Sequence, residues 1–137
     1  MMGVETDIHA ALMARVETIP TALPMSLPGV PFTPPEGDYI RVTHRRNEAE
    51  RKGLLGRDGM DHMGILYIDL FRRTGPNTWQ VTSDTIADDI AAHFPLDLRL
   101  TRGTTRIIVY KTVLGDSELD LGGTHFRVQI KVFYNTL

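Results

Sequence analysis

The chain has 137 residues, 42% of them apolar and 23% charged, with a formal net charge of −2, which is the mix of an ordinary folded domain and gives no bulk attraction for nucleic acid. It contains no cysteine, which excludes disulfide frameworks, cysteine zinc sites and thiol catalysis. Its longest apolar runs, such as Gly64-Ile65-Leu66-Tyr67-Ile68, fall far short of the ~20 residues that a membrane helix needs.

The N-terminus, Met1-Met2-Gly3-Val4-Glu5, has no basic patch followed by an apolar core and does not read as a signal peptide. A first helix is predicted over Glu5–Thr18. Val4, Ile8, Ala11, Leu12, Val16 and Ile19 recur at three- and four-residue steps and share one face. Glu5 and Asp7 stand in its first turn, where the helix dipole favours carboxylates, and Pro20 closes it. Six of the eight prolines follow within 20–35, a segment that can hold only an edge-like strand, with Met25-Ser26-Leu27 as the candidate. An extended crossover over the surface suits it better than a proline-rich recognition peptide.

A strand is predicted over Asp38–His44 on the strength of Tyr39, Ile40 and Val42. Arg45–Asp61 then reads as a long charged loop containing Gly53, Gly56 and Gly59. Loops of that length in compact domains are functional or become ordered on assembly. His62–Arg72 reads as a strand covered on both faces near its centre, because its apolar residues hardly alternate. After the turn Arg72-Arg73-Thr74-Gly75-Pro76, Asn77 is placed to cap a second helix over Thr78–His93, with Gln80 completing a weak capping box. Trp79, Ile86, Ile90 and Phe94 form its expected buried stripe, and Pro95 ends it. Further strands are expected over Arg106–Leu114 and Thr124–Tyr134, separated by an acidic turn region, Gly115–Gly123. In the last strand Phe126, Val128, Ile130, Val132 and Tyr134 point one way, and Arg127, Gln129 and Lys131 the other. The expected fold is one α+β domain over residues 1–137. It has a mostly antiparallel sheet, two helices packed on one face, and a long mobile loop between the early strands.

Candidate chemistry is thin. His44, His62 and Asp61 could meet around a metal, Asp84 and Asp88 lie one helical turn apart, and Asp116, Glu118 and Asp120 alternate before Gly122-Gly123. Satisfied histidines and a solvated acidic helix face account for the first two. The third lacks the twelve-residue loop and closing glutamate of a calcium site. Ser83 and Thr85 have no nucleophile elbow around them, and no phosphate loop is present. No catalytic residue, metal or cofactor is expected.

Charge is more informative. Residues 41–57 carry Arg41, Arg45, Arg46, Arg51, Lys52 and Arg57 against Glu48 and Glu50, and residues 99–111 carry Arg99, Arg102, Arg106 and Lys111 with no acid. The charged residues of 84–97 and of 115–123 are all acids. Such segregation fits a basic-to-acidic contact between identical subunits, the heterologous kind that closes into rings. An interface of Arg45, Arg46, Arg51, Lys52 and Arg57 against Asp116, Glu118 and Asp120 is therefore expected. Local variation on a solvated surface explains the same pattern without any contact. Sequence-specific nucleic-acid binding is not expected, since no aromatic residues interleave with the basic ones.

Several stretches together resemble the tail terminator group among the small tail proteins of long-tailed bacteriophages. They are the N-terminal helix ending at Thr18-Ile19-Pro20, the run from Val30-Pro31-Phe32 through Tyr39-Ile40-Arg41-Val42, the strand around Gly64-Ile65-Leu66, Ala87-Asp88-Asp89-Ile90 with His93-Phe94-Pro95, and the alternating strand Phe126–Tyr134. The resemblance implies an α+β structural protein of the virion tail, made in the host bacterial cytoplasm. It implies a ring, usually a hexamer, at the head-proximal end of the tail tube, which stops tube polymerisation and offers a surface for the head. Its implied partners are further copies of itself, the tail tube protein and a head-completion protein. A head–tail joining protein is the related alternative, and a small hydrolase or metal enzyme and a DNA-binding protein are the more distant ones.

Overall fold

The computed structural model describes residues 3–46, 50–51, 60–73, 79–119 and 124–136. The expected cap at Asn77 and the glycines at 53, 56 and 59 lie outside them. Helix α1 spans Val4–Glu17 and buries Ile8, Ala11, Leu12 and Val16, the stripe that its sequence spacing sets up. Val4, at the start of that stripe, is exposed. The helix stops where Thr18 turns its hydroxyl back to the Arg15 carbonyl at 2.7 Å, ahead of Pro20.

Strands β1 (Met25–Ser26), β2 (Tyr39–Arg46), β5 (Met63–Arg73), β6 (Arg99–Arg102), β7 (Thr105–Leu119) and β8 (His125–Thr136) form one sheet in the order β1-β2-β5-β8-β7-β6. Strands β3 (Glu50–Arg51) and β4 (Met60–Asp61) make a separate antiparallel pair. The segment expected to be one long loop therefore contains a short ladder, and β2 runs two residues into it.

The expectation of a mostly antiparallel sheet with helices laid on one face does not hold. The sheet is mixed and curled into a half-barrel, and the described residues are mostly strand, with only two helices among them. β1 runs parallel to β2, with Met25 beside Ile40. The prolines that confine this segment to an edge also supply a crossover long enough to bring it back in the same direction. The broad α+β class stands. Register shifts in β7, between Val109 and Lys111 and between Leu114 and Ser117, are irregularities of the kind that bend a strand and increase its twist. The acidic region expected as a turn starts as strand, since β7 continues through Gly115 to Leu119. β6 was not expected at all. It is joined to β7 by a tight turn in which Gly103 takes φ +59°, a conformation open to glycine at no steric penalty.

Helix α2 spans Trp79–Ala92. Its buried line is Ser83, Ala87 and Ile90, leading on to Phe94, while the expected Ile86 is only partly buried. α1 and α2 share one apolar cluster with the inner face of the sheet: Ile40 and Val42 from β2, Leu66, Ile68 and Leu70 from β5, Ile107 and Val109 from β7, and Val128, Ile130, Val132 and Tyr134 from β8. Each fully buried side chain of this size contributes ~1.5–3 kcal/mol relative to exposure.

Candidate functional site

The face of the sheet turned away from the helices has no element covering it among the described residues, and it is built in rows. The strand registers place Tyr39, Phe71, Arg127 and Glu118 in one row, Arg41, Asp69 and Gln129 in the next, Thr43, Tyr67, Lys131 and Val113 in a third, and Arg45, Ile65, Phe133 and Lys111 in a fourth. Cations lie over rings along it. The Arg41 guanidinium is 5.0 Å from the Phe71 ring centroid, Arg45 is 6.0 Å from Tyr67, and the Lys111 ammonium is 5.3 Å from Phe133. Tyr39 stacks on Phe71 at 4.7 Å. The expected second cover over β5 is thus made by side chains of neighbouring strands, not by another layer.

Asp69 stands in the middle of this face. Only 6% of it is exposed, and its Oδ1 has no hydrogen-bond partner among the described residues. Burial raises its pKa, while a hydrogen bond from Gln129 and the charges of Arg127 and Arg41 pull it back. With Thr43, Arg45, Tyr67 and Gln129 it lines a cavity of about 280 Å³. A buried oxygen without a donor costs ~1–3 kcal/mol, a penalty that a partner supplying an N–H or O–H would relieve.

A second polar cluster ties α1 to the ends of β2, β5 and β8. His9 Nδ1 and His44 Nδ1 are 2.9 Å apart, and His44 Nε2 lies 2.5 Å from the Tyr134 hydroxyl. The chain is satisfied with both rings neutral when Tyr134 donates to His44 and His44 donates to His9. Burial, His9 and Arg46 together hold the His44 pKa down to about 4, and burial with Arg46 lowers that of His9. Burial, then the nearby Glu5 charge, raises that of Tyr134. Glu5 receives the His62 ring at 2.7 Å and the Arg46 guanidinium at 3.1 Å. Gly64 makes this possible, because a side chain there would collide with the Tyr134 hydroxyl and the Arg45 carbonyl.

The remaining histidines also serve as fasteners. His93 Nε2 lies 2.7 Å from the Thr18 hydroxyl, and its carbonyl accepts two bonds from Arg15. His125 Nε2 donates to the Gly37 carbonyl at 2.9 Å. The candidate metal set is not assembled: His44 and His62 are engaged by Tyr134 and Glu5, and the side chain of Asp61 lies outside the described residues. No group of three or more metal-binding side chains occurs among the described residues. Ser83, weighed as a nucleophile, is buried and accepts the Arg72 guanidinium at 3.0 Å, while Arg72 also holds Asp38 at 3.1 Å. No described helix is long and apolar enough to cross a membrane.

The expected interface residues fall on well-separated strands. Arg45 points to the uncovered face of β2, and Arg46 points to the other face, where it meets Glu5. Glu118 is on β7, on the uncovered face, bonded to Arg127 at 2.6 Å. β5 and β8 lie between them, so the structure does not bring the basic and acidic sets together within one chain. The side chains of Arg51 and Asp116, and all of Lys52, Arg57 and Asp120, lie outside the described residues. Sequence reasoning missed Asp69 and the His44–Tyr134 pair. Asp69 interrupts an otherwise apolar strand, and that was the available signal.

Residues 7–134 match the phage tail terminator protein family. The chain belongs to that family. A tail terminator is a structural protein and not an enzyme, so this chain is a structural component of the phage tail, located in the virion and acting with other virion components. No curated protein matches the chain. One solved structure, 21% identical, superposes with a TM-score of 0.78 and covers 100% of this chain and 97% of its own. A chain from the virion of a native gene transfer agent particle is 16% identical, with a TM-score of 0.56, covering 99% of this terminator chain and 98% of its own. At these identities the likeness is one of fold.

Proposed function

We propose that this chain, acting as one unit over residues 1–137, assembles into a hexameric ring that caps the tail tube, ends tube polymerisation and prepares the surface that joins the head. The family match over residues 7–134 carries this reading. Segregated charge supports it, with Arg45, Arg46, Arg51, Lys52 and Arg57 of one subunit facing Asp116, Glu118 and Asp120 of the next. The partners are other copies of the chain, the tail tube protein and a head-completion protein, and assembly takes place in the host bacterial cytoplasm.

An interface built on charges has little apolar area to offset the loss of translational and rotational freedom. The isolated chain is therefore expected to be monomeric at low concentration and to close on a tube end. Light scattering across protein and salt concentrations, with and without purified tail tubes, tests this. A discrete ring, free or on tube ends, supports the terminator role. A ring that ignores tubes but binds heads moves the assignment to a head–tail joining protein. A monomer under every condition overturns the ring.

A further inference from the structure

The half-barrel has two edges that its own strands only partly use. β1 pairs with β2 only at Ile40 and Arg41, so no strand lies beyond Thr43–Arg46 among the described residues. β6 pairs with β7 only from Thr105 to Ile108, and the segment before β6 reaches as far as Thr112, which leaves 113–119 without a strand partner on that side among the described residues. Open edges present rows of N–H and C=O groups that template the addition of another strand. The Ile40 N–H points outward, to the Pro24 carbonyl at 2.9 Å. Alternation along the strand then aims the backbone groups of Val42, His44 and Arg46 to the same side, the open one.

Polarity allows the two edges to meet. β2, β5, β8 and β7 alternate in direction, so β7 of one copy laid beside β2 of another runs antiparallel and continues that alternation. Charge favours this match over the symmetric ones. The β2 edge carries Arg45 and Arg46, while 112–119 contains Asp116 and Glu118 and no basic residue. Two β2 edges would set arginines against arginines, and two β7 edges acids against acids, both of which are destabilising. With Arg45 opposite Glu118, both side chains leave the sheet on the face away from the helices, so the pleat stays in phase. The Glu118 side chain is 66% exposed and has room for a second partner.

We propose that Thr43–Arg46 of one copy adds as an antiparallel strand to the Ser117–Leu119 edge of the next copy, with Arg45 opposite Glu118, so that the sheet runs on from subunit to subunit. This rests on the ring reading and names its contact. The two edges lie on different sides of the subunit, so the contact is heterologous and propagates, and the curl of the half-barrel supplies a rotation at each step.

The absence of cysteine makes the test clean. The double variant Arg45→Cys/Glu118→Cys, oxidised under conditions where light scattering shows a closed oligomer, is expected to give a disulfide-linked ladder reaching the full ring mass and collapsing on reduction. Either single variant gives no product beyond a dimer. Separately, Arg45→Glu is expected to raise the concentration for half-assembly by about tenfold or more, with an unchanged circular dichroism spectrum. A closed oligomer that forms without the ladder, or that tolerates Arg45→Glu, overturns this interface and leaves the ring reading standing. A wild-type chain that never closes overturns both.

Discussion

The two faces of the sheet solve different problems with nearly the same strands. The inner face is dry: Ile40, Val42, Leu66, Ile68, Leu70, Val128, Ile130 and Val132 meet the apolar stripes of α1 and α2. The outer face carries large side chains too, Tyr67, Phe71 and Phe133 among them, yet no helix among the described residues covers it. Guanidinium and ammonium groups from adjacent strands lie over the rings there. Long cationic side chains can cover apolar surface while keeping their heads in water. The inner face thus fixes the fold, and the outer face stays soluble while remaining available for contact.

The largest expected effect breaks that comparison at neighbouring positions of one strand. Ile68→Ala, on the inner face of β5, should lose ~2–5 kcal/mol in urea unfolding, the usual result of a core cavity. Tyr67→Ala, one residue away on the outer face, should lose clearly less. Equal losses would mean that the outer face is as tightly packed as the core, and the distinction would fall. Gly64→Ala comes next, at ~1–3 kcal/mol of overpacking, because the new methyl group meets the Tyr134 hydroxyl and the Arg45 carbonyl. A neutral result would show that Tyr134 can move freely, contrary to its complete burial.

Most of the inner face was legible from spacing alone. The stripe of α1 and the alternation from Val128 to Tyr134 are set by periods of 3.6 and 2 and by the burial they permit. What escaped was set by geometry between distant segments. The parallel docking of β1 depends on where a proline-rich crossover returns. β6 is too short and too polar for its sequence to mark it as a strand, and its turn at Gly103 shows only in the structure. Ile86 packs against the core but stays partly exposed, because α2 turns Ser83 and Ala87 fully inward, and Arg72 supplies a donor that makes a buried serine tolerable. Arg45 and Glu118 could be named from charge, but their places on the two partly open edges of one sheet required the strand order.

The inner face also has one polar corner, and pH should expose it. His44 is held neutral, with its pKa down to about 4, and the groups around it are His9 and Glu5 from α1, Arg46 from its own strand and Tyr134 from β8. A histidine whose folded pKa lies below its unfolded value adds stability that is complete above ~6.5 and is lost as pH falls towards the folded value. Stability should therefore decline between pH 6.5 and about 4, through His44 with a contribution of the same sign from His9. Chemical denaturation at a series of pH values should show a shallower slope over that window in His44→Gln. An unchanged slope would place the acid sensitivity elsewhere.

The smallest effect tells coverage from charge on the outer face. Lys111 is exposed, and its ammonium lies 5.3 Å from the Phe133 ring centroid. A cation over a ring at an exposed site contributes ~0.5–1 kcal/mol, so Lys111→Ala should lose no more than that. Lys111→Met keeps an unbranched apolar stem over the ring and removes the charge. If the ring is protected mainly by coverage, Met should match Lys in urea unfolding and Ala alone should fall behind. If the attraction of the cation for the ring matters more, Met and Ala should lose equally, and added salt should narrow their gap from the wild type. The first result makes the outer face a set of apolar rings kept covered by flexible cationic arms, which can swing aside for a partner. The second makes each arm a fixed part of the sheet and leaves the strand edges as the easier route to contact.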